Sequence, residues 1–539
     1  MKNNILFYCL LALLLGNCSP KVADTAQQSA EKKANEVAEV MVGKEDFRKN
    51  VPAAGPPPKI QIGSYNEFQL DNGLKVIVVE NHKLPRISYQ LFVNTPDIMQ
   101  NDKTGYIDMA GELLSKGTDS RTKAEIDEAI DFMGASLSTS SSGVFASSLT
   151  KHTSKLLEIM SDVLLQPSFP ESEFAKIKKQ TLSNLAQSKD DPNTIASNVG
   201  SVLRYGKNHP YGEITTEASL ENITREDCKQ YYETFFKPNI SYLIVVGDVT
   251  MDKVKPMIEK HFASWKASRN IPSTEFTAPS MPAATSVDFV NKSGAVQSVI
   301  SITYPVDLKP GHPDVIKSRV MNTMLGGFFQ SRLNQNLRET NAYTYGARSR
   351  LSSDKLVGSF TAGASVRNEV TDSSLVQFMY ELNKIRDEQI DQADLDMVKN
   401  VIAGNFARSL ERPETVARFA LNTARYNLPA DYYATYLEKL SQVNLQDVQA
   451  MAQKYVKPAN AHVVVVGNKD DVADKLSGFA SNGKVDFYDH YFELLGYFIG
   501  SDPTTRKSAD HVRTMRLHLT HLCNIITRCI LDGAMRFFI

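Results

Sequence analysis

The sequence predicts an α+β protein of two homologous domains, each a β-sheet covered by helices. Three observations carry this. Strand-like and helix-like stretches follow one another without the strict alternation of a doubly wound sheet. A buried strand entered through Lys-Pro and left through Gly occurs twice, from Lys237-Pro238 to Gly247 and from Lys457-Pro458 to Gly467. A proline-rich stretch, Ile271 to Pro282, separates the copies. The 539 residues suffice for two domains, each with its own core.

At the N-terminus, Lys2 precedes an apolar run from Ile5 to Leu15 that closes on Gly16-Asn17-Cys18. The run is too short to cross a bilayer as a stable helix and has the form of a secretory signal, here residues 1–18. A cysteine at its end resembles a bacterial lipobox, in which the thiol is acylated and becomes the mature N-terminus. Asn17 departs from the small residue usual there, and an ordinary signal peptide with an incidental cysteine is the alternative. Residues 19–59, rich in Ala, Lys, Glu and Gln and ending in Pro56-Pro57-Pro58, read as a flexible tether.

The first domain is expected over 60–270. Its β-branched runs at Gly73–Glu80 and Ile87–Val93 predict strands. Apolar spacing predicts helices at Ile107–Leu114, Lys123–Met133, Ser154–Leu165, Glu173–Ser188 and Asp227–Phe235. Then comes the first Lys-Pro strand. A linker at 271–284 leads to a second domain at 285–485, closed by the second such strand. Residues 486–539 form an atypical tail. It holds His511, His518, His521, Cys523 and Cys529 without a ligand spacing typical of metal sites, and a shifted or truncated reading frame would account for its texture. Cys228 has no sequence neighbour suggesting a bridge, so no disulfide framework is expected in the body.

Lys and Arg number 60 against 61 Asp and Glu, for a formal net charge of -1. That leaves no basic excess for neutralising phosphates and argues against nucleic acid as a partner. No G-x-S-x-G elbow occurs.

Three segments carry a likeness. The first is Gly105-Tyr-Ile-Asp108-Met-Ala-Gly111-Glu112, continuing to Gly117-Thr118. The second is His209-Pro-Tyr-Gly212, followed by Ile223-Thr-Arg-Glu-Asp227 and the Lys237-Pro238 strand. The third is Leu325-Gly326-Gly327 to Ser331-Arg332-Leu333, running into Leu337-Arg338-Glu339 and Tyr345-Gly346. In this order and spacing the chain resembles the pitrilysin-type (inverzincin) metallopeptidases, which include insulysin and the mitochondrial processing peptidase. The likeness covers most of residues 65–480.

The resemblance implies an H-x-x-E-H helix. Two histidines one turn apart grip zinc, the glutamate activates its water, and a further glutamate one helix later completes the site. Here the histidine positions fall on Asp108 and Glu112, the base position on Gly111, and the distal glutamate near Ser183 and Asn184. No cofactor is therefore expected in this chain. Asp108 and Glu112 could hold a hard cation in principle; a solvated acidic face is the plainer reading. A glycine inside a helix costs about 1 kcal/mol relative to Ala.

The resemblance also implies an arginine and a tyrosine that face the zinc across the cleft, here Arg338 and Tyr345. A phenol can donate to the tetrahedral oxyanion of peptide hydrolysis, and a guanidinium can hold a neighbouring substrate carbonyl. The alternatives are a surface Arg338 paired with Glu339 and a Tyr345 packed on the core. The likeness places His209 and Tyr211 in a structural turn rather than in catalysis.

Some bacterial members of this family are heterodimers in which one subunit carries zinc and the other supplies the arginine–tyrosine pair. The chain is thus expected to be the non-zinc subunit, forming half of a clamshell with a zinc-bearing homologue around a peptide held as an added β-strand. It would be lipid-anchored and face the periplasm. The alternative is a catalytically inactive peptidase-like binding or scaffold protein.

Overall fold

The structure, a computed structural model, describes residues 62–499. Cys18, the expected tether and the His/Cys tail lie outside these residues. The described residues belong to one compact unit, and none of their helices is long and apolar enough to cross a membrane.

The first half builds a six-stranded sheet from β1 (Asn66–Gln69), β2 (Lys75–Glu80), β3 (Arg86–Val93), β4 (Ser136–Ser140), β5 (Gly143–Leu149) and β6 (Ser241–Gly247), ordered β1-β2-β6-β3-β5-β4. The second half builds a seven-stranded sheet from β7 (Ser286–Asn291), β8 (Gln297–Val306), β9 (Arg348–Ser352), β10 (Gly358–Arg367), β11 (His462–Gly467), β12 (Lys484–Tyr488) and β13 (Leu494–Ile499), ordered β13-β12-β7-β11-β8-β10-β9. In both, the Lys-Pro strand runs parallel to the first long strand (β6 to β2, β11 to β7) and antiparallel to the next (β3, β8). The α+β reading with two sheets holds.

Helices α1 (Tyr106–Leu113), α2 (Lys123–Phe132), α3 (Thr153–Leu165), α4 (Glu171–Ser188), α5 (Pro192–Tyr205), α6 (Glu217–Asn222), α7 (Arg225–Phe235) and α8 (Met251–Phe262) belong to the first half. Helices α9 (Asp314–Asn322), α10 (Thr371–Asp387), α11 (Gln392–Ser409), α12 (Pro413–Tyr426), α13 (Tyr436–Gln442) and α14 (Leu445–Tyr455) belong to the second. The repeat includes the start signals. Thr224 caps α7 and Asn444 caps α14, each in a reciprocal box with the Asp three residues on, which satisfies two helix-end donors.

The halves are interlocked by exchanged helices. α5 lays Ile195, Ala196 and Val199 on Val290, Val299, Val464 and Val466 of the second sheet. α12 lays Val416, Ala417, Ala420 and Leu421 on Ile77, Val79, Tyr242, Ile244 and Val246 of the first. The central strands are therefore buried on both faces, which explains why β2 and β11 read as unbroken valine-rich runs rather than alternating ones. Polar links cross at the same place. Arg425 Nε donates to Asn94 Oδ1 at 3.1 Å, and the Tyr211 phenol donates to Asp354 Oδ1 at 2.9 Å.

The expected domain end at 485 falls inside β12. Val485 is fully buried there, and Phe487 meets Phe289 edge-on at 5.5 Å, so β12 and β13 extend the sheet to Ile499. The composition of this stretch hid the continuation, because β13 is an edge strand with exposed Leu494, Leu495 and Tyr497.

Candidate functional site

Helix α1 starts at Gly105, whose positive φ of 113° turns the chain into it. Met109, Ala110 and Leu113 enter the core while Asp108 and Glu112 point out to solvent. Between them Gly111 is buried against the β4–β5 turn. A Cβ on Gly111 would lie 2.1 Å from the Ser141 nitrogen and 2.3 Å from the Ser140 carbonyl carbon. The glycine in this helix thus has a packing reason: backbone occupies the space where a side chain would begin.

That turn is fixed on both sides. The Tyr231 phenol donates to the Ser141 carbonyl at 2.9 Å, and the Ser141 hydroxyl donates to Asp108 Oδ1 at 3.2 Å. On α4, which packs against α1, Ser183 and Asn184 are exposed and bonded within their own helix. The Ser183 hydroxyl donates to the Lys179 carbonyl and Asn184 Oδ1 accepts from Gln180. A zinc ion does not fit these residues. Neither imidazole is present, the base position is filled by backbone, and among the described residues no group of three or more His, Cys, Asp or Glu converges to hold a metal.

The second half repeats the close approach. Gly326, in the π-helical turn Thr323–Gly327 after α9, would place a Cβ 2.2 Å from the nitrogen of Ser349 on β9. Both glycines sit between corresponding strands, after β3 and before β4 and after β8 and before β9. At its base position the first half thus shows the same close approach of backbone as the second.

A second π-helical turn, Gln335–Thr340, carries Arg338; such turns are frequent at functional sites. The guanidinium lies over the Phe329 ring at 4.5 Å, and its Nε is 3.4 Å from Glu339 Oε1. The backbone then winds back on itself. Ala342 N donates to the Arg338 carbonyl at 3.1 Å, and Tyr343 N donates to the Leu337 carbonyl at 2.8 Å. The Thr344 hydroxyl donates to the Ser365 carbonyl at 2.7 Å, and Ala347 N donates to Asn334 Oδ1 at 3.1 Å. Tyr345 sits between these anchors with 92 % of its surface exposed. It does not pack on the core. A held backbone presenting a free phenol is pre-organised to meet a group from outside.

His209 is a satisfied turn residue. It is 3 % exposed, its Nδ1 accepts from Tyr211 N at 3.1 Å, and its ring stacks on Tyr205 at 5.5 Å. Burial pushes its pKa down. Cys228, a free cysteine, is fully buried, and burial raises its pKa to about 12; it is no nucleophile.

Sequence reasoning assigned no role to Arg204, on α5. Its signal was present in the Asp191-Pro192 start, an N-cap followed by proline at the first helical position, but nothing local says which sheet that helix covers.

Residues 75–207 match the insulinase family (peptidase family M16), and residues 222–402 match the peptidase M16 inactive domain. Bacillus subtilis "Uncharacterized zinc protease YmxG" is 23% identical over 398 residues, covering 72% of this chain and 94% of that protein. Two Helicobacter pylori proteins are similar: "Non-peptidase homolog YmxG", 22% identical over 73% of this chain and 92% of its own length, and "Zinc protease PqqE", 24% identical over 74% and 92%. Among solved structures, the peptidase M16 inactive domain from Pseudomonas fluorescens superposes with a TM-score of 0.68 at 21% identity, covering 75% of this chain and 98% of that one.

Proposed function

The chain belongs to the insulinase (peptidase M16) family, without its zinc-binding residues, and on that footing we propose that it is the zinc-free subunit of a two-subunit peptidase, supplying Arg338 and Tyr345 to a zinc-bearing homologue. The observation that carries this reading is the exposed Tyr345, held on an anchored loop seven residues after Arg338, in a chain whose own base position is occupied by the Ser140–Ser141 backbone. One relative's organism, Helicobacter pylori, has both a protein named a zinc protease and one named a non-peptidase homologue, which is consistent with paired subunits.

In this reading a peptide lies as an added strand in the partner's cleft. Arg338 holds a substrate carbonyl through its fork of donors, and Tyr345 donates its O–H toward the oxyanion that develops on the scissile carbonyl. An acylated Cys18 would anchor the pair at the envelope, facing the periplasm. The deciding experiment assays the chain alone, the zinc-bearing homologue alone and the mixture. Activity confined to the mixture supports the reading; a partner fully active by itself favours the scaffold alternative.

A further inference from the structure

Past the helix α5, the outer face of the second sheet turns polar and then cationic. The strand register sets two rows across it. Thr303, Thr361 and Arg350 stand side by side on β8, β10 and β9, with Ser301, Gly363 and Arg348 in the row beside them. Directly opposed residues of antiparallel strands share a face. Both arginines therefore stand on the same side as the hydroxyls, away from the core that takes Ile302, Ala362 and Phe360. Between α5 and this face lies a cavity of about 360 Å³, lined in part by Ser197, Arg204, Ser301, Thr361 and Ser365.

Arg204 gives the cavity its character. It donates to the Thr303 hydroxyl at 2.6 Å and the Ser201 hydroxyl at 3.3 Å, and lies over the Tyr205 ring at 4.5 Å. Its Nε is buried without a hydrogen-bond partner. All of these partners are neutral. The acids at the start of α5 are engaged elsewhere: Asp191 caps the helix and Asp190 pairs with Lys292. Among the described residues Arg348 and Arg350 have no ion pair. A partly buried cation without a counter-charge loses hydration with nothing to offset it, and an arriving anion supplies the missing half.

We propose that this face binds the carboxylates of an acidic peptide, one entering the cavity at Arg204 and others pairing with Arg348 and Arg350. The inference rests on the peptidase-subunit reading and deepens it by naming the substrate class.

The test is equilibrium binding to the full-length chain in detergent, with no partner and no hydrolysis. The probes are fluorescent ten-residue peptides rich in Glu, Gln or Lys, each with a free or an amidated C-terminus. The Glu peptide should bind about tenfold more tightly than the Gln peptide at low salt, as charge-assisted hydrogen bonds predict, and the preference should fade as salt rises. If a free C-terminus is required and Glu, Gln and Lys side chains make no difference, only the terminal carboxylate is bound and the acidic-peptide proposal falls. Arg348→Gln with Arg350→Gln, both exposed positions, should remove most of the preference; Arg204→Gln, checked for folding by circular dichroism, should do the same. Equal binding of Glu, Gln and Lys peptides, or an unchanged preference in the double variant, overturns the proposal. Such a result with cleavage by the assembled pair still dependent on Arg338 and Tyr345 would sink this inference and leave the subunit assignment standing.

Discussion

Gly111 and Ser141 share one space: a Cβ on the glycine would stand 2.1 Å from the serine's backbone nitrogen. Gly111→Ala should therefore destabilise the protein by about 1–3 kcal/mol, the usual cost of overpacking, although alanine is the better helix former. Gly404 in α11 is the control, since a Cβ there meets nothing within 4 Å; Gly404→Ala should stabilise by about 0.5–1 kcal/mol. Thermal melts of both variants check the pair. A Gly111→Ala protein as stable as the parent would mean the turn yields freely.

Rewriting the motif should fail to rebuild a metal site. The triple change Asp108→His, Gly111→Glu and Glu112→His restores the H-x-x-E-H letters, but the glutamate has no room and the distal region still offers Ser183 and Asn184. Metal analysis after dialysis should find no stoichiometric zinc in either the parent or the triple variant. One bound zinc per rewritten chain would show that the β4–β5 turn moves aside.

Tyr345→Phe removes one O–H from a side chain that is 92 % exposed, so melting temperature should not change. In the assembled pair, kcat should fall by about a hundredfold, as for one lost oxyanion donor. Arg338→Ala should slow turnover too while leaving assembly intact. A rise in KM alone would assign the pair to ordinary substrate binding.

Acid should loosen one link between the halves. Lys189 beside Glu217 first, and the Tyr491 phenol next, hold the Glu217 carboxyl down at about 2. A depressed carboxylate contributes stability that is complete above its ordinary value of 4.5 and is lost as pH falls through about 2. The Glu217 side chain is more than one third exposed, so solvent screens the pair and the effect is small. Glu217→Gln should flatten the fall in denaturant midpoint across that window; an unchanged slope would assign the acid sensitivity to other carboxylates.

Cys18→Ser should release the protein from membranes in fractionated cells, and labelled fatty acid should appear only on the parent. Retention of the serine form at the membrane would exclude acylation as the anchor.

The sequence announced what is local. Long periodic helices such as Glu171–Ser188, and the two Lys-Pro strands, were legible because their burial follows a repeat of 3.6 or a continuous apolar run. The β4–β5 hairpin was not, because Ser136–Ser140 has Leu137 as its one apolar residue and takes its register from β5. The loss of the two histidine ligands and of the base could be read from Asp108, Glu112 and Gly111. The closure over Gly111 could not, since it joins residues thirty positions apart through space. Strand register puts Arg348 and Arg350 on one face, and α5 brings Arg204 to the same face through Thr303, a long-range arrangement that no local pattern announces.

The exchanged helices also constrain how the chain is born. When α5 leaves the ribosome, the valines of β8 and β11 that will receive it have not been made. Ile195, Ala196 and Val199 must wait as an uncovered apolar stripe while the rest of the second half is synthesised, and β2 and β6 likewise wait for α12. Completion of both sheets is therefore a late, long-range event, slow by topology and exposed to misassociation. A nascent chain stalled between α5 and β11 should be a chaperone client, and neither half made separately should be soluble unless the other is supplied.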